Sequence, residues 1–171
     1  FLYKQEDTLK EIKALLNNTP DVVKALQKLL SEESALKSEL DTLQRAHAIR
    51  LKKELLASSI ERSGYRLFVL QGEEKADIIK DIAFQLRGEL QEPFVFVAAT
   101  TEGARGLLSV MLSEEAVTLG LHAGNLVKEA ARLIQGGGGG QPHFATAGGK
   151  DANGLPQALE LILSRVDAHA R

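Results

Sequence analysis

Gly136 to Gly140 are five consecutive glycines, followed by Gln141, Pro142 and His143, then by Thr146, Gly148, Gly149 and Lys150. A backbone without Cβ atoms lets its N–H groups come close to an anion, so a loop of this kind suits a phosphate cradle. It also suits a chain turning through positive φ angles. Gln141, His143 and Thr146 would add hydrogen bonds there, and Lys150 would add charge. Lys128 and Arg132 lie on the segment leading into the run and are phosphate-contact candidates by proximity. A flexible linker has the same composition. Against a linker, Phe144–Ala147 resumes apolar, ordered-looking sequence at once, and Gly148-Gly149 closes it. His143 can equally be a half-buried residue where loop passes into strand.

Other chemistry is missing from the chain. The four histidines, His47, His122, His143 and His169, form neither HxxxH nor HExxH, and there is no cysteine. No metal site is expected. The acidic pairs Glu32-Glu33, Glu73-Glu74 and Glu114-Glu115 are adjacent residues of the kind that face solvent. Ser109 and Ser113 lack a nucleophile-elbow context. No GxxxxGK[ST] phosphate loop occurs, because Gln141-Pro142 follows Gly140. No catalytic residue is therefore expected.

The chain has 171 residues, 44% of them hydrophobic and only 5% aromatic, which suits Leu/Ala-based helical packing. Its first residue is Phe1, so a piece of a longer protein is expected. No apolar run approaches the ~20 residues of a membrane span. The lack of cysteine fits the cytoplasm. Net charge is −2, but residues 1–66 hold 12 Lys/Arg against 10 Asp/Glu and residues 67–171 hold 9 against 13. A nucleic-acid contact would have to be local and shape-dependent, since no broad basic footprint exists.

Two regions must position these residues. Residues 1–63 read as a helical arm. Thr8 and Glu11 fit a capping box, and Thr19-Pro20 fits a second helix start. Val22, Leu26, Leu29, Leu36, Leu40 and Leu43 recur at spacings of 4, 3, 7, 4 and 3, a heptad pattern. A helix from there to Ser63 would extend on the order of 60 Å at ~1.5 Å per residue. Its stripe must pack within the chain or on a second copy. Residues 64–171 read as strand Tyr65–Leu70, helix Glu73–Leu86, strands Phe94–Ala98 and Leu107–Leu112, and helix Ala123–Ile134. The glycine loop, strand His143–Ala147 and helix Leu155–Ala168 follow. The expected class is α+β: an antiparallel or heptad helical arm, then a compact α/β domain with a small mixed sheet.

Gly120-Leu121-His122-Ala123-Gly124-Asn125-Leu126-Val127-Lys128-Glu129-Ala130-Ala131, the glycines, Gln141-Pro142 and Ala145-Thr146-Ala147-Gly148-Gly149-Lys150 carry a resemblance. Together they resemble the DHH-associated domain at the C-terminal end of alanyl-tRNA synthetases, a domain type also found in DHH phosphoesterases. The likeness covers Tyr65 to about Val166, with the helical region matching the family's arm. It differs from the phosphoesterase pattern, where a histidine directly follows the glycines; here Gln141-Pro142 precedes His143. The resemblance implies binding to the outer elbow of alanine tRNA, a part in coupling aminoacylation to editing, and a homodimer through the arm. It places ATP, Mg²⁺ and Zn²⁺ in catalytic domains outside this chain, with no cofactor here. Neither DNA nor a membrane is an expected partner. On this reading Gly136, Gly137, Gly138, Gly139, Gly140, Gln141, His143, Thr146, Gly148, Gly149, Lys150, Lys128 and Arg132 contact the tRNA. Replacing Gly138 by Val is expected to weaken that contact and leave the fold intact. A dimerising module with little tRNA affinity, or a phosphoesterase, are the alternatives.

Overall fold

The computed structural model describes residues 2–169. The expected region ends at Phe1 and Arg171 lie outside them. The chain divides into two compact units between Ala46 and His47, within a single long helix.

In the first unit, α1 spans Leu2–Leu15 and α2 begins at Val22, running to Ala57. The capping expectations are corrected here. Thr8 is inside α1, with its hydroxyl donating to the Lys4 carbonyl at 2.8 Å. α1 stops because Asn17 and Asn18 turn left-handed, at φ 59° and 56°; asparagine tolerates that region better than most residues. α2 is capped by Asp21, not Thr19: the Asp21 carboxylate accepts from the Lys24 N–H at 2.9 Å. The heptad leucines Leu26, Leu29, Leu36, Leu40 and Leu43 are exposed.

In the second unit the helix ends at Ala57 instead of reaching Ser63. Ile60–Arg62 forms β1, which turns through Ser63-Gly64 into β2, Tyr65–Glu73. Gly64 sits at φ 87°, which supplies the turn. α3 (Ala76–Glu89) crosses from β2 to the parallel strand β3 (Phe94–Glu102). β4 (Arg105–Leu112) returns antiparallel. The short α4 (Glu114–Thr118) is capped by Ser113, whose hydroxyl accepts from Ala116 N–H at 3.3 Å and Phe94 N–H at 3.2 Å. α5 (Ala123–Ala130) continues as a 3₁₀ turn over Ala131–Ile134. β5 (Gly136–Gly140), β6 (Phe144–Gly149) and α6 (Leu155–His169) complete the unit. The sheet order is β1-β2-β3-β4-β6-β5, so it is mixed, with β2–β3 its one parallel pair. The class is α+β as expected.

Strand alternation divides the core into two layers. On one face, Leu67, Val95, Val97, Leu108, Val110, Ala145 and Ala147 pack on α5 and α6. On the other, Phe68, Phe96, Ala98 and Met111 pack on Ile79, Ile82 and Leu86 of α3 and on Ala48 and Leu55 of α2. Polar ties add to this second layer: His47 Nε2 lies 2.6 Å from Glu74 Oε1, and Lys52 donates to Glu89 at 2.8 Å.

Candidate functional site

The glycine run is a strand, not a loop. Gly136, Gly137, Gly138, Gly139 and Gly140 pair antiparallel with Gly149, Gly148, Ala147, Thr146 and Ala145. None of the five has a positive φ; those glycines are Gly64, Gly72, Gly103 and Gly120. The expectation of a turning loop is therefore corrected. Glycine is a poor strand former on propensity alone, so a close approach must explain it. A Cβ built on Gly136, Gly138 or Gly140 overlaps the carbonyl oxygens of Gly148, Thr146 and Phe144 on β6. Those three glycines are required by packing. Gly138→Val therefore breaks the β5–β6 pairing, and the expectation that it spares the fold is corrected.

Gly137 and Gly139 differ. A Cβ on either meets nothing within 4 Å. Their glycine identity is needed neither by φ nor by the neighbouring chain. Register places them opposite Gly148 and Thr146, which in turn stand opposite Leu107 and Ser109 of β4. Directly paired residues share a sheet face, and this is the face that carries Phe144 and Phe96. α3 covers its aromatic end, where Phe84 meets Phe144 edge-on at 5.2 Å. Thr146, Gly137 and Gly139 are exposed. The result is an open, nearly side-chain-free surface at the sheet edge.

The other candidate residues distribute around this strand. Gln141 and His143 form the β5–β6 turn with Pro142. Its backbone is fixed: Gln141 N–H donates to Phe144 O, Leu112 N–H to His143 O and Ala123 N–H to Pro142 O, each at 2.8 Å. His143 is half-buried and Gln141 exposed. Gly149 is buried, and a Cβ there overlaps the Ile134 carbonyl. Lys150 is exposed just past β6. Lys128 and Arg132 are exposed on the helical layer covering the opposite face, so the structure does not bring them to the Gly137–Gly139 surface. α5 reaches the strand closely: a Cβ on Gly124 would stand 2.8 Å from the Gly140 carbonyl. His122 begins α5, its Nδ1 accepting from Asn125 N–H at 3.3 Å.

Arg105 is a residue the sequence reading missed. Its Nη2 atom would lie 3.4 Å from a Cβ on Gly148, so the guanidinium extends over the glycine surface. Only the β4–β6 register reveals this. Among the described residues, no three His, Asp or Glu side chains group to hold a metal ion, and no helix is long and apolar enough to cross a membrane. Far from this face, burial pushes the Tyr65 hydroxyl up to about 12, aided by its 2.8 Å bond to Asp167 and opposed by the Arg62 charge.

Residues 64–168 match the DHHA1 domain family. An alanine–tRNA ligase of Porphyromonas gingivalis is 47% identical over 168 residues, 98% of this chain and 19% of that protein. One from Bacteroides fragilis is 48% identical over 158 residues, 92% of this chain and 18% of that protein. The chain thus spans about a fifth of the length of the curated relatives it matches. Among solved structures, the C-Ala domain of Aquifex aeolicus alanyl-tRNA synthetase superposes with a TM-score of 0.57 at 22% identity, over 64% of this chain and 98% of that one. That likeness supports the fold, and the resemblance noted in the sequence is borne out. The chain belongs to the DHHA1 domain family.

Proposed function

We propose that this chain is the C-terminal, tRNA-binding part of an alanine–tRNA ligase. Residues 64–171 would hold the tRNA elbow, and residues 1–63 would serve as the arm. Bringing the elbow to the enzyme would help couple aminoacylation with editing. The parent would join alanine to its tRNA with ATP and Mg²⁺, and edit with Zn²⁺, all in domains outside this chain. The chain itself is read as non-catalytic.

One observation carries the reading: Gly137 and Gly139 are glycines that the fold does not require, on an exposed face. A bare backbone face lets a flat nucleobase or a phosphodiester approach where any side chain would hold it off. Thr146 lies on the same face, with Gln141 and His143 at one end of the hairpin and Lys150 at the other. RNA is recognised largely by shape, unstacked bases and 2′-OH groups, so a chain of net charge −2 is compatible. Gly139→Val tests this. It should weaken binding of intact tRNA while the thermal midpoint stays unchanged. Unchanged affinity would remove the face from the reading.

A second reading, a dimerising arm, is favoured by one observation: five heptad leucines of α2 are exposed. Sedimentation at micromolar concentrations checks it. A dimer that Leu36→Glu and Leu40→Glu together dissociate supports it, and a monomer at every concentration contradicts it.

A further inference from the structure

Resting on the tRNA-binding reading, we propose that Arg105 is the anion-binding residue of the glycine face and takes a phosphodiester of the bound RNA. Arg105 precedes Leu107 by two residues on β4, so both stand on the face that carries Ser109, Thr146 and Gly148. Gly106 between them faces the other way, toward Leu155 of α6. The Arg105 side chain is exposed and makes no ion pair or hydrogen bond among the described residues. Five other arginines of this unit pair with carboxylates: Arg50 with Glu54, Arg62 with Asp167, Arg66 with Glu92, Arg87 with Glu114 and Arg165 with Glu129. Arg132, exposed and also without an ion pair among the described residues, lies on the helical layer of the opposite face. Even Glu102, the cross-strand partner of Arg105 in the register, forms no ion pair with it.

Two hydroxyl-bearing residues share this face with Arg105. Ser109, 4% exposed, stands on this face beside the exposed Thr146. An occupant of this face would be anionic beside Arg105, hydrogen-bond to the exposed Thr146, and be flat enough to lie on Gly137, Gly139 and Gly148. A nucleotide unit meets all three demands: phosphate for the guanidinium, ribose hydroxyl for the Thr146 hydroxyl, base plane for the glycines. A guanidinium fork is also the side chain best matched to phosphate geometry.

The test is a salt titration of intact-tRNA binding by fluorescence anisotropy, comparing the unsubstituted chain with Arg105→Ala, Arg105→Lys and Gly139→Val. Losing one charge-assisted contact should weaken Arg105→Ala roughly tenfold. Its log–log salt slope should fall by about one. Arg105→Lys should keep the slope and recover part of the affinity. Both positions are open to solvent, and a thermal melt of each variant checks that folding is intact. If Arg105→Ala keeps the original affinity and slope while Gly139→Val binds poorly, the Arg105 assignment is overturned and the glycine face stands. If neither variant differs from the unsubstituted chain, or that chain binds no tRNA, both are overturned. Displacement of the tRNA by an acidic peptide, with no change in slope for Arg105→Ala, would also overturn the assignment and favour a protein partner.

Discussion

Two glycines separated by one residue behave in opposite ways. A side chain at Gly138 would run into Thr146 and Ala147, whereas one at Gly139 enters open space. Gly138→Ala is expected to be destabilising by several kcal/mol or to prevent β5 from pairing, in line with other backbone clashes. Gly139→Ala should be neutral or stabilising by about 0.4–1 kcal/mol, since it restricts the unfolded chain at an ordinary φ. Urea unfolding of the two variants checks the contrast. Tyr65 gives a pH-dependent prediction. Its folded pKa of about 12 lies above the ordinary tyrosine value of 10.0. Its contribution is then fully present below pH 10 and lost as pH rises toward 12. Tyr65→Phe should lower stability at neutral pH by about 0.5–3 kcal/mol, through loss of the bond to Asp167. It should also flatten the alkaline decline between about pH 10 and 12. A variant that keeps the same alkaline slope would show that Tyr65 does not supply it.

At the scale of elements, legibility depended on whether a signal was local. Phe94–Ala98 was plain because an apolar run buried on both faces reads as a central strand. The helices around Ile79–Leu86 and Ala123–Ala130 were plain because their buried residues recur at helical spacing. β1 was missed: three exposed residues carry no period, and only the Ser63-Gly64 turn hints at the hairpin. The glycine strand was missed for a deeper reason. Propensity argues against it, and what makes it a strand is the close backbone of β6, a tertiary contact. The candidate surface is therefore half legible: the glycine segment stands out in the sequence, but its alternation and Arg105 depend on register across β4, β6 and β5. α2 shows the same contrast within one helix. Leu55, 3% exposed in the second layer of the core, should cost about 2–5 kcal/mol when cut to Ala. Leu36, 65% exposed, should cost less than about 0.5 kcal/mol in a monomer. A larger loss for Leu36→Ala that grows with protein concentration would instead reveal a dimer.

For the whole molecule, affinity for RNA has to arise without bulk charge. The net charge is −2, and most arginines of the second unit are tied to carboxylates. What remains is one bare edge of a six-stranded sheet, a free guanidinium over it, and an exposed leucine stripe on the arm's helix. A surface of that kind recognises form more than sequence, so it should discriminate by tRNA shape and not by anticodon. The direct test is fluorescence anisotropy of this chain with an intact tRNA and with an acceptor-stem minihelix lacking the elbow, in moderate salt. Elbow recognition predicts clear preference for the intact tRNA, by at least about tenfold, the scale of one charge-assisted contact. Equal binding of the two, or none, would contradict elbow recognition by this domain.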